Sequence, residues 1–352
     1  MSGIWQASGL LVLSLALSSI ASIVLAADLD RIGARTGMSE GLVGIITAFG
    51  ADAPEISSAV IALIGGRHDV GLGVALGSNI FNIAGLLGLS AVVAGSISIG
   101  HEILLFNGAI AAIVVGIIAA LIFGVIAPIT SVIILGVVVV VYIALSALRA
   151  PGIARLGLPD AAERFLCAAI TSAEVAARED HTPPKAAFAD ALSVVPALVS
   201  IVLASVGMVH SALTIGHRWG ISDTVIGVLI LATLTGLPNV IAAVRLARAG
   251  RGGAVISEAL NSNTFNALAG ICLPALILGL GSASGQTTFT AWWLLVMTLL
   301  VLILMLRPSW PVARRGRPRN RPLSRIRCNH HSLTTTATAE ARYRDHPIHR
   351  GI

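Results

Sequence analysis

The chain has 352 residues, of which 56% are hydrophobic and only 11% charged, and its mean hydropathy is +0.90. An ordinary soluble domain carries about 25% charged residues, so a soluble fold is excluded. The net charge of +6 and a pI near 10.2 raise a nucleic-acid partner, but the Arg excess sits in the tail after residue 306 and in loops on one side. Membrane topology accounts for that pattern and no nucleic-acid partner is expected. Cys167, Cys272 and Cys328 are scattered without a CxxC pair, which argues against a disulfide framework or a zinc site.

The first apolar run, Leu10 to Ala26, lacks a basic leading segment and reads as a retained helix rather than a cleaved leader. Further runs follow, long enough at about 1.5 Å per residue to cross a hydrocarbon core of roughly 30 Å. They are continuous rather than alternating, so they predict helices and not a barrel. The expectation is an all-α polytopic membrane protein with nine spans, near residues 8–27, 41–64, 70–96, 102–124, 127–149, 190–210, 223–247, 252–281 and 287–306. Residues 1–149 and 190–306 form two membrane halves, 150–189 a polar linker with a short predicted helix, and 307–352 a basic, disordered tail. With the N-terminus outside, nearly all loop Arg and Lys fall inside, and the outer loops hold only Arg67 and Arg218. That orientation puts linker and tail in the cytoplasm.

The two halves repeat. A shift of 184 residues aligns Pro54 with Pro238, Ser78 with Ser262, Asn79 with Asn263, Phe81 with Phe265 and Asn82 with Asn266, without a gap. One copy (41–96) begins on the inner side after one span and the other (223–281) on the outer side after six, so the copies are predicted to be inverted. Inverted repeats are a transporter signature, with the site near the midplane where they meet. Each copy also carries a mid-span proline, which frees a carbonyl four residues earlier, at Gly50 and Leu234, as a candidate oxygen ligand.

Asp52 and Glu55, in GADAPE, lie inside the second span, where a carboxylate costs about 2.5 to 3.5 kcal/mol. Such acids default to function, although structural hydrogen bonding is the alternative. Pro54 lies between them, so the sequence leaves open whether both face one point. Ser78 and Asn82 share a helical face in the third span, and Glu258, Ser262 and Asn266 share one in the eighth. Hydroxyl, amide and carboxylate oxygens without thiol or imidazole suit Ca²⁺, Na⁺ or Mg²⁺. Asn79 and Asn263 fit ligation and interhelical hydrogen bonding equally well.

These residues resemble the cation/Ca²⁺ exchangers, including the sodium/calcium exchangers, whose repeats carry GTSLPE followed by GSNIFN; GSNIFN stands here at Gly77 to Asn82. The resemblance covers residues 1 to about 306. It implies two inverted five-helix repeats, with Glu55 and Asn82 from one half opposite Asn239 and Asn266 from the other. It also implies site roles for Thr235, Ser78 and Ser262. The family's Thr-Ser is replaced here by Ala51 and Asp52, its second glutamate by Asn239, and an often acidic position of the eighth helix by Asn266. Glu258 is an extra accessory acid that either restores the missing charge or lies nearer the cytoplasmic mouth. The tail offers no tenth span, so the last helix is expected to be missing.

The expected function is secondary antiport, Ca²⁺ exchanged for Na⁺ or H⁺ by alternating access in the inner or plasma membrane. A cation-binding but transport-inactive homologue is the alternative, as is an exchanger of a monovalent or another divalent cation. No HExxH, GxSxG or separated aspartate dyad accompanies the acids, so no enzyme activity is expected. No cofactor is expected; the partners are the lipid bilayer and the transported inorganic cations. The sequence leaves open whether copies associate as a homo-oligomer.

Overall fold

The computed structural model describes residues 2–36, 38, 40–94, 101–147, 152–153, 155–163, 165–167, 188–248, 252–281 and 283–306. The tail from 307, Trp310 within it, and most of the linker lie outside the described residues, as does most of the predicted linker helix.

Within the described residues every predicted span falls largely on helix. The first half contains α1 (Ser2–Arg35), α2 (Glu40–Ala51), α3 (Ala53–Ile64) and α4 (His68–Phe81). A π-helical turn, Asn82–Leu87, carries α4 into α5 (Gly88–Ala94), and α6 (His101–Ile122) and α7 (Pro128–Ala147) complete that half. The second half contains α8 (Phe188–Arg218), then α9 (Asp223–Val225), which runs through the π-turn Ile226–Leu231 into α10 (Ala232–Arg248). It closes with α11 (Gly252–Ala267), continued by the π-turn Leu268–Cys272 into α12 (Leu273–Leu278), and with α13 (Gly285–Leu306). π-Turns gather at functional sites; two of these follow GSNIFN and its counterpart NSNTFN, and the third leads into the helix of Thr235 and Asn239.

Among the described residues seven helices are long and apolar enough to span on their own, and α2 with α3, bent by 53°, makes an eighth. The ninth, Gly252 to Leu278, is continuous helix, but Ser262, Asn261, Asn263 and Asn266 lower its hydropathy relative to the others. Among the described residues there is no strand. Exposed Leu, Ile and Val line α1, α7, α8 and α13, where a lipid-facing surface is required. Trp5, Trp219, Trp292 and Trp293 are exposed near span ends.

α4 sits at the centre, buried along every residue from Val70 to Asn79. It gets there by a tight turn: Gly66 adopts a φ of +71°, and Arg67 N–H returns to the Ala62 carbonyl at 2.8 Å. A left-handed residue at that place favours glycine. α4 then crosses α9 and the following π-turn at glycine contacts, since a Cβ on Gly73 would stand 2.8 Å from the Thr224 carbonyl oxygen. At this end Asp69 accepts from Thr287 Oγ1 at 2.6 Å and from Ser284 N–H at 3.2 Å, and Thr287 and Thr224 hydroxyls meet at 3.1 Å. The clasp joins the starts of α4, α9 and α13. Along the other flank α1 packs on α8, with buried Asp28 of α1 bonded to Arg31 and to Ser193 of α8.

Candidate cation site

The bend between α2 and α3 falls at Asp52 because Pro54 cannot donate to the Gly50 carbonyl. That carbonyl, a candidate ligand in the sequence, has a protein partner. Ser22 of α1 donates to it at 3.4 Å and to the Ala51 carbonyl at 3.0 Å. Backbone groups exposed by a kink in a bilayer need such partners. In the second repeat Pro238 lies inside an unbroken α10, and no matching bend forms.

Asp52 occupies the N-cap position of α3, where an Asp ordinarily accepts from a backbone N–H of the first turn. Here its side chain makes no cap bond. Asp52 Oδ1 instead accepts from Asn239 Nδ2 of α10 at 3.1 Å, and the same amide nitrogen donates to Glu55 Oε1 at 3.3 Å. Both carboxylates therefore face one point despite the intervening proline. Both are buried, Asp52 to 0% and Glu55 to 2% exposure, and Asp52 Oδ2 and Glu55 Oε2 have no hydrogen-bond partner. Ser262 of α11 lies within hydrogen-bonding reach of Asp52.

A second polar group joins the two GSN-type segments. Asn82 Nδ2 donates to Asn263 Oδ1 at 3.0 Å, and Asn263 Nδ2 donates to the Asn79 carbonyl at 3.3 Å. Asn263 thus makes the interhelical bonds that the sequence held level with ligation. The side-chain oxygen and nitrogen of Asn79 and of Asn266 are buried and unpartnered, as are Ser78 Oγ and Ser58 Oγ. Thr235 is buried and spends its hydroxyl proton on the Leu231 carbonyl of its own helix at 2.9 Å, which leaves oxygen lone pairs. Ser58 is the polar group that sequence reading missed; its signal was the three-residue spacing from Glu55.

Buried polar atoms without partners are costly, by about 1 to 3 kcal/mol each. Several of them on three facing helices, oxygen-rich and thiol-free, describe a setting for a hard cation. Among the described residues no three of His, Cys, Asp and Glu gather closely enough to hold a metal. A cation here would draw most of its ligands from amides and hydroxyls around the two carboxylates.

In sequence and fold the chain is similar to known ion exchangers. A candidate antiporter from Alkalimonas amylolytica, CaxA, is 26% identical over 303 residues, covering 79% of this chain and 83% of that protein. The sodium/potassium/calcium exchanger 1 of Mus musculus is 34% identical over 112 residues, which cover 30% of this chain and 10% of that protein. In fold, the chain is similar to the H⁺/Ca²⁺ exchanger CAX, with a TM-score of 0.64 at 14% identity over 85% of this chain and 76% of that one. It is also similar to the sodium-calcium exchanger NCX_Mj, with a TM-score of 0.52 at 22% identity over 86% and 91%. The sequence profile described as sodium/calcium exchanger protein matches residues 7–148 and 191–320, well over half the chain. The chain therefore belongs to the sodium/calcium exchanger family.

Proposed function

We propose that the chain is a secondary cation antiporter that exchanges Ca²⁺ for Na⁺ or H⁺ by alternating access. The transported ion would be held by Asp52 and Glu55 with oxygens of Ser78, Asn82, Thr235, Asn239, Ser262 and Asn266. One observation carries the reading: two buried carboxylates of one repeat share an amide of the other, and each keeps one oxygen unpartnered. Two negative charges match a divalent ion, and the neutral oxygens supply the six to eight ligands that Ca²⁺ takes. Exchange follows because a site emptied of cation exposes unpaired carboxylates to a low-dielectric path as it reorients. A returning Na⁺ or H⁺ removes that barrier.

The acids are concentrated in the first repeat, whereas the second contributes amides and hydroxyls. The charge lost at Asn239 is thereby regained at Asp52. The protein would lie in the inner or plasma membrane with its N-terminus outside. The test is ⁴⁵Ca²⁺ uptake into proteoliposomes against imposed Na⁺ or H⁺ gradients. Glu55→Gln should abolish it, and unchanged uptake would overturn the site assignment.

The shared Asn239 amide favours a second reading, a cation-binding homologue without transport, since a neutral donor bridges the acids where a further acid would complete the site. Ca²⁺ binding by the purified protein without gradient-driven flux would establish that reading instead.

A further inference from the structure

α1 lends the candidate site no ligand, yet one of its hydroxyls reaches the backbone on which the two acids turn. Ser22 Oγ donates to the Ala51 carbonyl at 3.0 Å and to the Gly50 carbonyl at 3.4 Å, and Ser22 is only 3% exposed. Ala51 is the last residue of α2, and Gly50 is the residue whose carbonyl Pro54 cannot serve. Both carbonyls stand at the 53° bend, immediately before Asp52.

The approach of α1 to this bend is close. Ser22, Leu25, Ala26 and Leu29 share one helical face, at i, i+3, i+4 and i+7. That face lies on Gly50, where an added Cβ would stand 2.7 Å from Leu29 Cδ1 and 3.4 Å from Leu25 Cγ. The bare glycine lets α1 lie flat against the bend. Past the bend, Ala53 at the start of α3 is buried in one cluster with Ala21 and Leu25 of α1. Asp52 therefore sits between two backbone points that α1 grips.

The second repeat lacks this contact. At the same 184-residue shift Val206 of α8 replaces Ser22 and is 47% exposed, and Leu234 replaces Gly50. No hydroxyl is offered there, and α10 runs unbroken through Pro238. A mid-span proline alone thus does not produce the bend. In the first repeat the bend decides where Asp52 points: its side chain makes no cap bond with α3, and Oδ1 instead takes the Asn239 amide that Glu55 also uses. A change of bend angle swings α2 against α3, and the Asp52 carboxylate against Glu55 and Asn239.

We propose that Ser22 is a positioning residue for the cation site: its hydroxyl fixes the α2–α3 bend at the angle that lets Asp52 and Glu55 share the Asn239 amide, so that the seating of α1 and the cation affinity rise and fall together. The assignment rests on the reading of Asp52 and Glu55 as cation ligands. Coupling of two equilibria is reciprocal, so it can be read from either end.

The experiment is calorimetric titration of Ca²⁺ into the purified full-length chain as wild type, Ser22→Ala, Pro54→Ala and the double variant. Ser22→Ala should weaken binding by about five- to tenfold, the effect of one hydrogen bond. Pro54→Ala returns an N–H to the Gly50 carbonyl, so Ser22→Ala in that background should weaken binding by no more than about twofold. Wild-type affinity in Ser22→Ala would overturn the assignment. The same loss in both backgrounds would also overturn it, because a role in packing alone does not depend on Pro54. Amide hydrogen exchange reads the reciprocal effect in the wild type: saturating Ca²⁺ should slow exchange across residues 22–29 by at least about threefold although α1 holds no ligand, and unchanged exchange there counts against the assignment. Should an alanine variant fail to fold, Ser22→Cys keeps nearly the same volume with a weak donor and should weaken binding by at least about twofold; wild-type affinity in it is likewise contrary. A wild type that binds no Ca²⁺ overturns the cation reading and this assignment with it, whereas a wild type that binds, matched by Ser22→Ala, overturns the assignment alone.

Discussion

Asn239 donates to Glu55 at 3.3 Å, and the two residues stand 184 positions apart, at the same place in two repeats. Residues related by a two-fold axis can touch their own equivalents only on that axis. Asn263 and Asn79 form a second such contact with the same separation. The two contacts together run the axis of the inverted repeats through the candidate site. An axis of this kind makes each side of the site a copy of the other, except where the residues differ. At the first contact they do differ: an amide faces a carboxylate, and the axis holds a donor and an acceptor instead of two repelling acids.

Asn239→Ala removes the donor that Asp52 and Glu55 share. Each buried carboxylate then loses a partner, which costs about 1 to 3 kcal/mol per group. In cation-free buffer the variant should therefore unfold at a lower temperature than the wild type. Added Ca²⁺ should recover more stability in the variant than it adds to the wild type, because the ion replaces the partner that the two acids have lost. Thermal melts with and without Ca²⁺ measure both quantities. A midpoint lowered equally in the two buffers would show that Asn239 serves packing alone.

The second on-axis contact is symmetric in residues and asymmetric in bonds. Asn82 donates to Asn263, yet the mirror pair, Asn266 toward Asn79, makes no bond, and both amides of that pair are unpartnered. The proposed alternating access needs two such arrangements, of which this is one. Asn82→Ala should destabilise the present arrangement and Asn266→Ala the opposite one. Cysteine labelling from either side of the membrane should then change in opposite directions for the two variants, by a few-fold if each amide bond contributes about 1 kcal/mol. Parallel changes would mean that the asymmetry has no part in switching.

The spans were legible because a bilayer demands long apolar runs, and each predicted run falls on helix. The gapless 184-residue register carried the repeat, and with it the two on-axis contacts. What stayed hidden was pairing across distance. The sequence shows that Pro54 frees the Gly50 carbonyl but not that Ser22, 28 residues earlier, meets it. Nor does it show that Asp69 reaches Thr287 across 218 residues to clasp three helix ends. Hydrophobic periodicity reports which face is buried, whereas a hydrogen bond needs two faces and their rotation. The convergence of Asp52 and Glu55 likewise depended on the bend angle, which the proline implies and does not specify.

Gly77 precedes Ser78 where α4 crosses the Ile226–Leu231 turn, and it should be intolerant of even one added methyl group. A Cβ there would stand 2.6 Å from Val228 Cα and 2.7 Å from the Val228 carbonyl oxygen, both backbone atoms that no rotamer change can move. Overpacking of this kind costs about 1 to 3 kcal/mol. The strain would be relieved only by parting α4 from the Ile226–Leu231 turn, which carries Ser78 and Asn82 away from the second repeat. Gly77→Ala should therefore lower both the unfolding temperature and the cation flux. Gly116, in α6, has nothing within 4 Å of its Cβ direction, so Gly116→Ala should raise helix stability by up to about 1 kcal/mol and leave flux unchanged. Measured side by side, the pair separates the loss of a crossing from the general effect of replacing glycine in a membrane helix. An unchanged melt and flux in Gly77→Ala would show that α4 has room to slide, and would remove the glycine crossing as the element that positions Ser78.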